Sequence, residues 1–342
     1  MSKEIDLSQY EIRTDMVLEE IESKIPKKGI ISQVEEINDM KITRVDVLKE
    51  GVSLINKKEG KYITIEFEDV TDSENKDVLR KVFIKELKKM LKYLKIKDKD
   101  TCLIIGLGNN KSTPDSLGPL VIERLLVTKH LFSLGEVETG YRNVSAFSPG
   151  VMGQTGIETS EMILGIIQKI RPDFLIVVDA LASNSISRIN KTIQMTDTGI
   201  HPGSGVGNAR KEISFEILKI PVIAIGIPTV VDAVTIVSDT INYMMKKFAY
   251  NKENLDDPSN KLIPFWKLDY LKKEKELSNQ EKKNLMGLIG TLSENEIKQL
   301  VYEVLNPIGY NMMVTPKEID FLLEKLSQVI ACGLNETLHQ KT

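Results

Sequence analysis

The sequence predicts an α/β fold, a doubly wound central sheet flanked by helices, with a helical segment at the C-terminus. Three observations carry this reading. Short runs that are apolar at every position, Cys102 to Ile105, Phe174 to Val178 and Val222 to Ile227, suit strands buried on both faces of a sheet. Between and around them lie segments whose apolar residues recur at helical spacing. Glycine, proline or aspartate closes each apolar run, as an alternation of strands and helices requires.

Residues 1–15 are polar, carry no sustained apolar period and read as a surface segment. Two β-branched, alternating runs follow, Lys41 to Leu48 and Tyr62 to Phe67, and their polar positions suggest one solvated face. From Asn75 to Leu94 the period changes to that of an amphipathic helix, with Val78, Leu79, Val82, Phe83, Leu87, Met90, Leu91 and Leu94 on one side. The strand at 102–105 leads through a glycine-bounded turn to a helix over about 119–127, opened by Gly118-Pro119 because proline has no N–H to lose in a first turn. A strand over Arg142 to Phe147 runs into Ser148 to Gly156, too glycine-rich for regular structure. Thr159 and Ser160 can cap a helix that Pro172 ends, and the strand Phe174 to Val178 terminates on Asp179. A strand at about Thr192 to Met195 precedes the glycine-dense loop 197–208, and Pro228-Thr229 starts a helix reaching about Lys247. Residues 250–282 are charged and poorly periodic, and 283–335 read as short helices with Ser293 and Glu296 in capping-box spacing.

Composition excludes several classes of function. With 342 residues, 41% of them hydrophobic and 28% charged, the chain can bury a sizeable core. Forty-six basic against 49 acidic residues leave a net charge of −3, so no strong field draws the chain to nucleic acid. Two cysteines, Cys102 and Cys332, make neither a disulfide framework nor a metal cluster, which fits a reducing, cytoplasmic setting. The N-terminus lacks an apolar signal region, and no apolar run approaches the ~20 residues of a membrane span.

The chemistry concentrates at two carboxylates. Asp115 lies in the loop after the strand 102–105, and Asp179 ends the strand 174–178; ligands in open α/β sheets gather at such strand ends. Singly, each has a plain structural reading, a turn former in Thr-Pro-Asp-Ser and a helix cap. Paired at neighbouring strand ends, they can share a proton and polarise a water, because like charges so close cannot both ionise easily. Asp197 and His201 sit in a loop facing the same crevice, although a lone histidine is more often a structural hydrogen-bonding group. Gly106-Leu107-Gly108 lacks the third glycine of a dinucleotide fingerprint, since Lys111 stands there, and Gly203 to Asn208 lacks the ending of a phosphate loop. Serine-nucleophile chemistry is unsupported, because no G-x-S-x-G is present.

Longer motifs carry a resemblance. RTDM at 13–16, GLGN and TPDSLGP within 106–119, SPGVMGQTGIETSE at 148–161, VDALAS at 178–183, TDTGIHPGSGVGN at 196–208, GIPTVVDA at 226–233 and NPIGYNMMVTPKEID at 306–320 closely resemble the germination proteases of endospore-forming bacteria. The resemblance implies a fold similar to the phosphorylase and hydrogenase-maturation-peptidase folds, assembly as a homotetramer, and an atypical aspartic-type endopeptidase made as a zymogen. It implies small acid-soluble spore proteins as substrates, Asp115 and Asp179 as catalytic residues, and His201 as a weak candidate for a metal ligand, with no cofactor required. Substrate backbone would lie against the loops holding Gly153, Gln154 and Thr155 and Gly203, Ser204 and Gly205.

The expected organisation is a propeptide at 1–15, a peptidase core at 16–250, a charged connection at 251–282 and a helical segment at 283–342 packed on the core. Thr14-Asp15-Met16-Val17 resembles the sites such enzymes cut, which marks Asp15–Met16 as the processing bond. The competing readings are a peptidase that trims a metalloenzyme precursor, and a non-enzymatic α/β protein whose glycine loops hold an anion or nucleotide.

Overall fold

In the computed structural model the described residues are 15–22, 28–55, 57–135, 137–202, 211–254, 277–305 and 312–340. Helix α1 (Val17–Glu22) leads into strands β1 (Ile30–Ile37) and β2 (Met40–Val47), the short α2 (Val52–Ile55), β3 (Gly60–Glu66) and the long α3 (Ser73–Tyr93). Strand β4 (Cys102–Gly106) is followed by α4 (Leu117–Ile122), α5 (Lys129–Leu134), β5 (Val144–Phe147), α6 (Met152–Thr155) and α7 (Thr159–Ile170). Then come β6 (Phe174–Ser183), β7 (Thr192–Thr196), α8 (Phe215–Leu218), β8 (Val222–Asp232), α9 (Ala233–Glu253), α10 (Asn279–Met286), α11 (Glu294–Leu305), β9 (Met313–Val314) and α12 (Ile319–Leu338).

The chain divides into two compact units, a larger one built on Arg13–Val230 with Thr315–Thr342 and a smaller one built on Val231–Val314. The larger unit carries the sheet, with strands in the order β1-β2-β3-β7-β8-β6-β4-β5. Strand β4 pairs in parallel with both β5 and β6, whereas β1, β2, β3 and β7 form antiparallel pairs. The mixed α/β architecture with flanking helices is the expected one. Its antiparallel half and the edge strand β1 were not expected, because β1 buries little and so shows no apolar run.

The period of two along β4 and β6 explains the layers. Cys102, Ile104, Phe174 and Ile176 face a core built with Leu79, Phe83 and Leu87 of α3, Leu117 and Val121 of α4, and Leu323, Leu326 and Ile330 of α12. Their neighbours Leu103, Ile105, Leu175 and Val177 face the opposite way, onto Ile163, Ile166 and Ile167 of α7. Both faces are therefore dry, which is why these strands read as unbroken apolar runs. Helix α3 starts on Asp72, whose carboxylate accepts the N–H groups of Glu74 and Asn75 at 2.9 and 3.0 Å. Its fully buried Glu86 is held by Arg44 of β2 through two hydrogen bonds of 2.7 Å. Burial alone would raise the Glu86 pKa, but the bonds from Arg44 and Lys89 outweigh it and hold the carboxyl below the usual range.

Several boundaries differ from expectation. Strand β6 does not stop at Asp179 but runs four residues further, to Ser183, so Asp179 is a strand residue and not a helix cap. Strand β8 continues through Pro228-Thr229 to Asp232, whose carboxylate caps α9 by accepting the Val234 N–H at 2.7 Å; proline there sits in a strand, not at a helix start. The glycine-rich stretch 148–156 contains the single helical turn α6. The C-terminal residues form one 20-residue helix, α12, in place of short helices, because its apolar residues line a continuous buried stripe on the larger unit. That helix ends at the buried His339, whose Nδ1 accepts the Arg142 N–H at 3.2 Å while Nε2 faces the Leu126 carbonyl at 3.1 Å. In the smaller unit α9 packs on α11, and β9 pairs with Val231 and Asp232. Ser293 and Glu296 do form the expected reciprocal cap, at 2.7 and 3.3 Å.

The close approach of β4 to α4 depends on two glycines. A Cβ on Gly118 would lie 2.2 Å from the Leu107 carbonyl oxygen, and one on Gly106 would lie 2.4 Å from the Gly118 oxygen. Gly118→Ala is therefore expected to lower stability by about 1–3 kcal/mol, as overpacking does, read as a fall in melting temperature. Gly153→Ala, where an added Cβ meets nothing within 4 Å, should stay within about 0.5 kcal/mol of the parent. Equal melting temperatures for the two variants would contradict this packing.

Candidate active site

The loop from β4 to α4 is closed by its own hydrogen bonds. Leu107 N–H donates to the Val178 carbonyl at 2.8 Å and so ties the loop to β6 as the β4 ladder ends. Asn109 N–H donates to the Asp115 carbonyl at 2.8 Å, and Asp115 N–H to the Ser112 carbonyl at 2.8 Å. Gly108 adopts φ +114°, and a Cβ there would lie 2.0 Å from the Asp115 oxygen. The Gly-Leu-Gly sequence thus serves the close fit of the loop onto itself and onto α4.

This loop ends in a 3-10 turn, Thr113–Asp115, which packs against β6. Asp115 is half-buried at the end of that turn, and Asp179 is only 6% exposed within β6. Register places both at one end of β4: Gly106 pairs with Val178, so Asp179 is the first β6 residue past the end of β4, where the Asp115 loop departs. Asp179 Oδ1 accepts the N–H of Ala180 at 2.9 Å. Position after apolar strand runs selected both residues in the sequence, and the fold brings their elements into contact.

The loop after β5 joins the same end of the sheet. Ser148 Oγ donates to the Gly106 carbonyl at 2.9 Å, and Gln154 of α6 donates through Nε2 to Asn109 Oδ1. Gly153, Gln154 and Thr155 are all exposed there, beside the loop that carries Asp115. Gly203, Ser204 and Gly205 lie outside the described residues.

Asp197 and His201 have other attachments. Asp197 Oδ1 accepts the Lys61 N–H at 2.8 Å at the start of β3, and burial raises its carboxyl above the usual range. His201 is exposed and faces Glu212, with Nε2 3.5 Å from Oε2. Among the described residues no three His, Cys, Asp or Glu side chains are grouped as metal ligands.

Asp15 and Met16 are placed on the larger unit, with Met16 fully buried. Two residues with no assigned role hold them: Ala182, through its backbone, and Gln194, through its side-chain amide. Gln194 left a faint sequence signal, a single amide inside the strand Thr-Ile-Gln-Met-Thr; Asn109 and Ala182 left none.

Among the described residues no helix is long and apolar enough to cross a membrane. The family model for germination protease matches residues 7–342. The germination protease of Geobacillus sp. (strain WCH70) is 48% identical over 361 residues, covering 100% of this chain and 97% of that protein. Those of Bacillus velezensis and Bacillus subtilis are 50% and 48% identical, each over 99% of this chain and 96% of their own length. Among solved structures, a NiFe hydrogenase maturation protease from Thermococcus kodakarensis is similar at 23% identity, over 42% of this chain and 80% of that one, with a TM-score of 0.28. The full-length match to family and relatives is shared by the segments that build the site, and this chain belongs to the germination protease family.

Proposed function

We propose that this chain is an endopeptidase, made as a zymogen, whose carboxylate pair Asp115 and Asp179 activates water to begin the breakdown of small acid-soluble spore proteins. The observation that carries this reading is the packing of the Asp115 turn against β6, the strand on which Asp179 is the first residue past the carboxyl end of β4. Two carboxylates acting together would divide the work: one takes the proton from water, and the other delivers a proton to the leaving amide nitrogen. No cofactor enters this scheme.

The exposed Gly153, Gln154 and Thr155, with Gly203, Ser204 and Gly205, would hold substrate backbone by main-chain hydrogen bonds. Asp197 and His201 are assigned structural roles, on the strength of the hydrogen bond from the Lys61 N–H to Asp197 and the approach of His201 to Glu212. Residues 1–15 are proposed as a propeptide that the chain removes by its own cleavage at Asp15–Met16, and the active form as a homotetramer in the cytoplasm of the developing spore.

Asp115→Asn and Asp179→Asn should each abolish hydrolysis of a purified small acid-soluble spore protein, followed by mass spectrometry, while melting temperatures stay near the parent value. Residues acting as a unit are non-additive, so the double variant should be little worse than either single one. Near-normal turnover by either variant would dismiss the dyad.

Incubation of the full-length chain should yield a product whose N-terminal sequence starts at Met16, and Asp115→Asn alone should yield none. A mature chain starting elsewhere, or equal processing of the Asp115 variant by itself, would refute self-cleavage at this bond.

A further inference from the structure

The described residues at and after the Asp15–Met16 bond are fastened to the larger unit. Met16 and Val17 are fully buried, and Leu18 is 5% exposed. Asp15 N–H donates to the Ala182 carbonyl at 3.3 Å, and Ala182 N–H donates to Asp15 Oδ2 at 3.0 Å. The Gln194 side chain then bridges Met16. Its Nε2 donates to the Asp15 carbonyl oxygen at 3.0 Å, and its Oε1 accepts the Val17 N–H at 2.8 Å. Further along, Glu19 accepts the Asn184 N–H at 2.7 Å and the Ser183 hydroxyl, with Arg188 Nη1 at 3.5 Å.

This arrangement holds the bond in a conformation that resists cleavage. Helix α1 begins at Val17, so the chain just past the bond is not extended. Ala182, to which Asp15 is paired, lies three residues beyond Asp179 on β6, about 10 Å at roughly 3.3 Å per residue. Water activated at the dyad must come within about 3–3.5 Å of the carbonyl carbon to react. The carbonyl oxygen is meanwhile engaged by Gln194, and the residue after the bond is inaccessible.

We propose that Gln194 is a positioning residue that clasps the Asp15–Met16 bond away from the dyad, so that release of this clasp sets the rate of self-processing. The proposal rests on the reading of self-cleavage at this bond. A primary amide suits the task, since it offers an acceptor on one atom and donors on the other, and can take one N–H and one carbonyl together. Gln194 is 6% exposed, and a buried amide is retained where its bonds are made. Methionine, of similar length, makes neither bond; glutamate keeps the acceptor but turns a carboxylate toward the Asp15 carbonyl.

The test uses the full-length chain with Gln194→Met and, separately, Gln194→Glu. Intact-mass spectrometry follows the product beginning at Met16, in parallel with the parent. Loss of both bonds in Gln194→Met is expected to speed its appearance by about tenfold or more, and loss of the Asp15 bond in Gln194→Glu should speed it too, by less. Turnover of the processed variants on spore protein should stay within about twofold of the processed parent, whereas a merely structural residue would lose turnover and melting temperature without faster processing. Parental or slower processing in a folded variant overturns the clasp. Should both variants fail to fold, hydrogen exchange at the Val17 amide in full-length Asp115→Asn decides. Protection comparable to that of β6 supports the clasp, and exchange at the rate of a free peptide overturns it. Failure of the underlying reading looks different: no form yields a product starting at Met16, or Asp115→Asn processes itself equally, and the clasp then falls with it.

Discussion

The near contact of Gly106 with Gly118 is the constraint on which the site depends. It lets α4 begin directly against the end of β4, with the Leu107 N–H still bonded to the Val178 carbonyl on β6. The loop between the two glycines has nowhere to go but out past the carboxyl end of β4, and it turns back on itself through Gly108. Asp115 is thereby held on a short, internally bonded turn against β6. A side chain at either end of this contact would push the helix away and carry Asp115 with it.

The parallel pairing of β4 with β6 supplies the second carboxylate. Their register stops at Gly106 and Val178, so the next residue of β6 is the first to lose its neighbour on β4, and that residue is Asp179. Continuation of β6 to Ser183 makes the strand serve twice. Its middle presents Asp179 beside the Asp115 turn, and its end receives the Asp15 backbone at Ala182. One rigid strand therefore relates the proposed catalytic pair to the proposed processing bond, at a spacing set by the strand rise.

Burial accounts for where sequence reading succeeded in the fold. The strands 102–106, 174–183 and 222–232 are apolar because helices cover both faces, and such runs announce themselves. Strand β1 is mostly solvated and left no pattern, and the proline at 228 suggested a helix start where β8 continues. Helix α12 was read as broken pieces, since its buried stripe has meaning only against α3 and α4.

Residue types and local spacing determined by themselves that Asp115 stands in the loop after the strand 102–105, that Asp179 follows the apolar run 174–178, that Gly106 and Gly108 bound a turn, and which germination protease motifs the chain carries. Those features are local: a turn and an apolar run act within a few residues of the chain. Only the tertiary structure decided that Asp197 is bound by Lys61, that His201 faces Glu212, and that Gln194 reaches the peptide groups on both sides of Met16. Gln194 lies 179 residues along the chain from Asp15. Partners so distant meet only through the stacking of strands and helices, and no periodicity in the sequence records which side chain will face which.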